Sequence, residues 1–168
     1  MQTHIIRISD SKDNVLNVKI SDILEEIQKG NDLNWCILFL DGMPSPGKGN
    51  TVNDYKNKIN KSKEGLQIKW NDICFIENEF FQIFETIILG CKNQEFLHRY
   101  DNDQEMYQSC DIVIELIDCA FWQIFTKDQD LKNRRKRAGA VTYWKRRLKS
   151  FKMNSLVWRD SQGVICFG

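Results

Sequence analysis

The stretch IVIELIDCAFWQIFTKD, residues 112–128, is the most apolar in the chain, yet it contains Glu115 and Asp118. Its composition predicts two strands or one long bulged strand. On a regular strand Glu115 shares a face with Val113 and Ile117, whereas Asp118 points to the other side. A glycosidase-like pair needs both carboxylates at one cleft. The spacing therefore favours a structural or partner-binding role for the two acids over a catalytic one.

An unpaired carboxylate is costly to bury. Since Glu115 lies inside an apolar strand, we expect it to pair with a basic residue from a neighbouring element. Asp118 is expected to cap or bend the turn that leads to Ala120.

Residues 71–92 repeat apolar side chains at steps of three and four, beginning with Ile73, Ile76 and Phe80. This spacing is typical of a helix with one broad apolar face, which belongs in the centre of a core. We therefore expect a single α+β domain over residues 1–168. Its mostly antiparallel sheet would pack against this buried central helix, and a long basic C-terminal helix and a terminal hairpin would follow.

Shorter patterns predict the remaining elements. The expected strands span residues 4–9, 14–20, 35–42, 65–70, 110–118 and 120–128; the expected helices span 21–31 and 128–151; the expected exposed loop spans 42–65; and the expected terminal hairpin spans 155–168.

The formal net charge of +1 hides two halves of opposite sign. Residues 1–130 hold 13 of the 24 basic and 22 of the 23 acidic residues, a charge of −9. Residues 131–168 hold 11 basic residues and one acid, a charge of +10. Local charge steers association more than the total does. The chain is therefore an acidic body followed by a basic segment.

This division suggests three arrangements. The basic helix of residues 131–152 would meet nucleic-acid phosphates, with Tyr143 and Trp144 available to stack on bases. Alternatively, the acidic body would meet a basic protein. In the third arrangement the two halves of the chain pack together and compensate each other.

The residues that carry common chemistries are sparse. Two histidines and six cysteines occur, without a C-x-x-C pair or zinc-ligand spacing, so we expect no metal, no cofactor and buried reduced cysteines. A nuclease built on His98, Arg99 and Asp101 stays an alternative. The first residues lack the pattern of a signal peptide, and no apolar run is long enough to span a membrane. We expect a cytoplasmic, soluble protein without a membrane partner.

Two segments together carry a family resemblance. The first has the form G-x-x-I-x-W … F-x-Q-I … G, and the second reads I-E-x-I-D-x-x-F-W-x-I-x-T-K-D. Over about residues 64–132 the chain resembles small bacterial immunity proteins, which are the cognate inhibitors of contact-dependent and other polymorphic toxins. The basic helix and final hairpin lie outside this resemblance.

The resemblance implies a toxin inhibitor that binds its partner tightly and has no enzymatic activity. Many such toxins are basic nucleases, so an acidic surface would speed association and compete with nucleic acid. The expected partner-binding residues are acids around the central helix and its loops, namely Glu77, Glu79, Asp101, Asp103 and Glu105. A second group consists of Glu115, Asp118 and Trp122, which also have possible structural roles.

Overall fold

The computed structural model describes residues 3–8, 11–12, 15–16, 18–131, 156–160 and 163–167. In chain order the elements are β1 His4–Ile8, β2 Ser11–Lys12, β3 Val15–Leu16, α1 Ile20–Leu24, β4 Asn34–Pro44, α2 Gly49–Lys61, β5 Leu66–Ile68, α3 Trp70–Glu79, β6 Phe80–Cys91, α4 Asp103–Ser109, β7 Ile112–Ile117, β8 Phe121–Thr126, β9 Leu156–Asp160 and β10 Gly163–Phe167. Single 3-10 turns lie at Gly30–Asp32 and Gln94–Phe96.

Six of these strands form one antiparallel sheet in the order β1-β8-β7-β6-β4-β5. Isoleucines meet directly across its middle, with Ile37 opposite Ile88, Ile88 opposite Ile114, and Ile114 opposite Ile124. β-Branched side chains suit such a pleated surface, and cross-strand pairs stabilise it. The expected α+β class and antiparallel sheet are confirmed.

Helices cover one face of this sheet. The core on that face joins Ile23 of α1, Ile59 of α2 and Ile73 of α3 to the central row of isoleucines. On the opposite face, residues 94–110 contribute Leu97 and Met106 to a second, smaller core. Because residues of a strand alternate between faces, β6 and β7 supply both cores.

The predicted central helix over residues 71–92 is wrong in its second half. Helix α3 ends at Glu79, and the chain continues directly as strand β6. Ile88 is buried in one core and Leu89 in the other. A strand that is buried on both faces has a nearly continuous apolar sequence, which imitates helical spacing. Phe81, which the predicted helical stripe placed inside, is 72% exposed.

Gly90 lies within β6 and does not end a helix. A Cβ there would come within 2.6 Å of Ile112 Cγ2 and 2.8 Å of the Trp35 ring. The absence of a side chain at position 90 therefore leaves room for the Trp35 indole in the core.

The predicted loop over residues 42–65 contains helix α2. Its sequence is rich in Asn and Lys, but Val52, Tyr55 and Ile59 recur on one face and pack into the core. Tertiary packing thus outweighs the modest helix propensity of this segment.

Several smaller expectations also change. Of the predicted strand 14–20, the described residues form the two-residue β3, and α1 begins at Ile20. At the start of α1 the Lys19 backbone N–H donates a hydrogen bond to the Asp22 carboxylate. Strands β9 and β10 pair as the expected terminal hairpin. The predicted basic helix lies mostly outside the described residues. Within the described part, no helix is both long enough and apolar enough to cross a membrane.

Candidate protein-binding surface

Residues 94–110 cover only half of the second sheet face. They bury Leu89, Val113 and Phe125, at the end of the sheet near Cys91. Towards the β7–β8 turn no described segment covers the same face, and Phe39 and Ile117 there are 38% and 36% exposed. We call this uncovered half the open face, and its residues are Phe39, Asp41, Glu85, Ile87, Glu115 and Ile117.

Strand register places the residues of the open face next to one another. Phe39 pairs with Ile87, and Ile87 with Glu115, so the three form one row across β4, β6 and β7. Asp41 pairs with Glu85 in the next row that points to this face. Paired residues of antiparallel strands point to the same side of a sheet. The face therefore combines an apolar centre with neighbouring carboxylates.

A β-bulge in β4 sets the position of Phe39. The register shifts between Ile37 and Phe39, and the Thr86 hydroxyl donates a 2.9 Å hydrogen bond to the Phe39 carbonyl. At the bulge, Arg99 Nη1 donates to the Leu38 carbonyl at 3.0 Å. A bulge redirects side chains and leaves backbone groups that need other partners. Thr86 and Arg99 supply such partners here.

Glu115 lies at the floor of the open face and is only 6% exposed. The Tyr107 hydroxyl lies 3.0 and 3.2 Å from its two carboxylate oxygens, and Gln123 Nε2 donates at 3.5 Å. Burial raises the pKa of Glu115, and the Asp103 charge raises it further, while the hydrogen bonds from Tyr107 and Gln123 act in the opposite direction. The expected basic partner is thus replaced by two neutral donors among the described residues.

A shallow pocket of about 230 Å³ opens above Glu115. Phe39, Ile87 and Ile117 line it with apolar surface, and Glu85 and Asp103 add carboxylates. Both acids are exposed.

More carboxylates surround the turn between β7 and β8. Burial raises the pKa of the Cys119 thiol, and the negative charges of Asp118, Glu85 and Asp41 raise it further. Three acids from three different elements therefore act on one group. Asp41 is also bound to Lys56, whose ammonium group lowers the pKa of that carboxyl. The apolar centre of the open face is bordered by negative charge.

Among the expected partner-binding residues, Glu77 and Glu79 lie on α3. Both form ion pairs with lysines elsewhere in the chain. Glu77 forms a 3.1 Å ion pair with Lys19 and accepts a 3.2 Å hydrogen bond from the Ser21 backbone. Glu79 forms a 3.1 Å ion pair with Lys48. These contacts give both acids a structural role in the helical layer.

The other three acids of the first expected group, Asp101, Asp103 and Glu105, are exposed. Asp101 precedes α4, and Asp103 and Glu105 lie in its first turn, where Asn102 caps the helix through the Gln104 N–H. Carboxylates in the first turn of a helix also interact favourably with the positive end of the helix dipole. Asp103 is the one that lines the pocket.

The second group of expected residues is divided by the structure. Glu115 lines the pocket, and Asp118 is exposed in the turn with a φ of 48°. Trp122 is 2% exposed, and its indole N–H donates a 2.7 Å hydrogen bond to the Val18 carbonyl. Trp122 is therefore part of the core beneath the helices.

Two residues of the nuclease alternative, His98 and Arg99, contact other groups of the chain. Arg99 also donates to the Ile59 and Ser62 carbonyls near the end of α2, at 2.9 and 3.4 Å. The His98 ring stacks on Tyr100, with centroids 4.1 Å apart. Within the described ranges, no group of three or more His, Cys, Asp or Glu side chains is arranged to hold a metal ion.

Sequence reasoning did not select Phe39, Asp41, Glu85 or Tyr107. The strand pattern predicted β4 but not its bulge, and residues 80–91 were assigned to a helix. The register that joins Asp41 to Glu85 connects positions 44 apart in the chain. Compared with known proteins, the chain matches no protein-family model, no curated protein and no solved structure.

Proposed function

We propose that this chain is an immunity protein, which binds a cognate bacterial toxin tightly and thereby neutralises it. The observation that carries the proposal is the open face, where exposed Phe39 and Ile117 are bordered by Asp41, Glu85 and Asp118. Binding interfaces combine an apolar centre with a polar rim. The resemblance over residues 64–132 supports the same class of function.

The charge of the face favours a basic partner. Residues 1–130 carry a formal charge of −9, and the carboxylates of the open face belong to this acidic body. Complementary charge raises the association rate and suppresses wrong partners. A nuclease that binds nucleic acid through a basic active site would meet these carboxylates at the same site. Inhibition would then follow from competition with the substrate.

The first experiment is affinity capture with the tagged chain from its native cells at moderate salt, with bound protein and nucleic acid identified. A stoichiometric protein partner whose toxic activity stops on binding supports the proposal. Recovery of nucleic acid alone, released by added salt, contradicts it.

Charge reversal then locates the interface. The double variant Glu85→Lys with Asp103→Lys should weaken toxin binding by roughly tenfold or more, mainly through slower association. Asp54→Lys makes the same type of change at an exposed position on α2, in the helical layer, and should leave binding nearly unchanged. Equal effects at the two places, or no effect at either, would argue against the open face as the interface.

The second candidate is a nucleic-acid-binding protein that uses the basic segment of residues 131–152, which the sequence predicts to be helical. It is favoured by the eleven basic residues between positions 131 and 159, a range without acids. Its affinity would fall steeply with salt and with neutralisation of Arg134, Arg135, Arg146 and Arg147. The open face variants would leave that affinity intact.

A further inference from the structure

The carboxylate of Glu115 has no cation beside it in the described part of the chain. The ion pairs there join Lys19 to Glu77, Lys48 to Glu79, and Lys56 to Asp41. Among the described residues, the hydrogen-bond donors to Glu115 are the Tyr107 hydroxyl and the Gln123 amide. A carboxylate with two oxygens accepts more hydrogen bonds than these.

The basic side chains of Arg7 on β1 and of Lys127 after β8 contact other groups. Arg7, which pairs with Gln123 in the register, lies over the Phe121 ring at 3.4 Å from its centroid. Lys127, which follows β8, donates a 2.9 Å hydrogen bond to the Ser109 carbonyl. Both cations are therefore engaged by other groups.

The space above Glu115 has the character of a side-chain pocket. Its volume is about 230 Å³, and Phe39, Ile87 and Ile117 form apolar walls around the carboxylate floor. Glu85 and Asp103 add negative charge to the lining. Long basic side chains bury their aliphatic stems on apolar surface and keep the charged end for a polar partner.

We infer that this pocket takes one arginine side chain of the protein bound at the open face, with its guanidinium group on Glu115. The identity of the partner rests on the proposed function, whereas the preference of the pocket for an alkylguanidinium group does not. Arginine fits better than lysine because its planar group meets two carboxylate oxygens and also stacks on an aromatic ring such as Phe39.

The physical gain comes from compensating a charge that is already buried. The folded chain bears the cost of desolvating Glu115, so an incoming cation restores favourable electrostatics without burying a new carboxylate. Glu115 is 6% exposed, and a buried charge pair is screened less than one on the surface. Such desolvated pockets filled by arginine often supply much of the binding energy of an interface.

The test uses the whole chain and N-ethylguanidinium as the probe, with N-ethylurea as a neutral probe of the same shape. Nuclear magnetic resonance follows the side-chain signals of Glu115 and Tyr107 during titration. We expect saturable shifts with an affinity on the order of millimolar for N-ethylguanidinium, and none for N-ethylurea. Glu115→Gln should lower the affinity for N-ethylguanidinium by roughly tenfold or more, whereas Asp54→Asn should leave it unchanged.

Absence of saturable shifts, or equal binding by the Glu115→Gln variant, overturns the inference. Thermal unfolding of each variant verifies that it is folded under the conditions of the titration. The result is independent of the toxin. If the probe binds but no toxin partner exists, the proposed function fails alone; if a captured toxin binds Glu115→Gln as tightly as the unaltered chain, the pocket inference fails alone.

Discussion

The Tyr107 hydroxyl lies within hydrogen-bond distance of both carboxylate oxygens of Glu115, at 3.0 and 3.2 Å. The Tyr107 ring also stacks on Phe125, with centroids 3.5 Å apart and planes 9° from parallel. Tyr107 comes from α4 and Glu115 from β7. Tyr107 therefore attaches the covering segment to the sheet and stabilises the carboxylate at the floor of the open face.

Tyr107→Phe keeps the stacked ring and removes the hydrogen bond. The free energy of unfolding should fall by about 1.5–3 kcal/mol, the usual range for a hydrogen bond to a charged group. The pKa of Glu115 should rise further, because one group that stabilises its ionised form is lost. Denaturant unfolding and carboxyl titration measure the two effects. Tyr55→Phe on α2 is the matched control, and an equal loss there would contradict a specific role for Tyr107.

Glu115→Gln should change how stability depends on pH. Burial raises the pKa of Glu115 above its ordinary value of 4.5, so the folded chain keeps this proton to higher pH than the unfolded chain does. Stability contributed by this group is therefore full below pH 4.5 and falls as pH rises through the folded pKa. The charged and titratable groups that face it are Asp103 and Tyr107 on α4, and Glu85 on β6.

Urea unfolding of both chains from roughly pH 4 to pH 8 measures this effect. The unaltered chain should lose stability relative to Glu115→Gln as pH rises. Glu95→Gln, at an exposed site, should follow the unaltered chain. A constant difference between the unaltered chain and Glu115→Gln across this range would show that ionisation of Glu115 has no energetic consequence for folding.

Arg99→Met should loosen the bulge that positions Phe39. Arg99 donates to the carbonyls of Leu38, Ile59 and Ser62, but its side chain is exposed, so the expected loss of stability is only about 1–2 kcal/mol. Hydrogen exchange should increase at β4 near the bulge more than at β7. Lys63→Met, an exposed change nearby in the chain, is the control. Unchanged exchange at β4 would mean that the bulge does not depend on Arg99.

The cysteines should differ in their reaction with iodoacetamide. Burial raises the pKa of Cys36 to about 12, and Cys36, Cys91 and Cys110 are at most 2% exposed. Cys119 is partly exposed, so it should be alkylated before these three in the folded chain. Peptide mass mapping over time gives the order. In denaturant the difference should disappear, and early alkylation of Cys36 in the folded chain would contradict the second core.

Local sequence patterns were sufficient for part of this fold. The apolar stretch of residues 112–128 predicted two strands or one long bulged strand, and the structure has the two paired strands β7 and β8. The strand period also placed Glu115 on one face with Val113 and Ile117. The strand at 35–42 is present as β4. In these segments each residue's environment follows from its neighbours along the strand, so periodicity alone carries the information.

Residues 80–91 and 49–61 depended on partners far away in the chain. β6 pairs with β4 on one side and β7 on the other, and burial on both faces removed the alternation that marks a half-exposed strand. Helix α2 is held by the core contacts of Val52 and Ile59 more than by its own propensity. Neither environment is encoded within a short window of sequence.

The sequence by itself determined the antiparallel character of the chain, its acidic body, and the presence of a carboxylate inside its most apolar strand. Only the tertiary structure decided which side of Glu115 stays accessible. That outcome depends on where residues 94–110 pack against the sheet, on the bulge at Phe39, and on the register that brings Glu85 beside Asp41. Long-range packing sets all three, because a surface is defined by what the rest of the chain leaves uncovered.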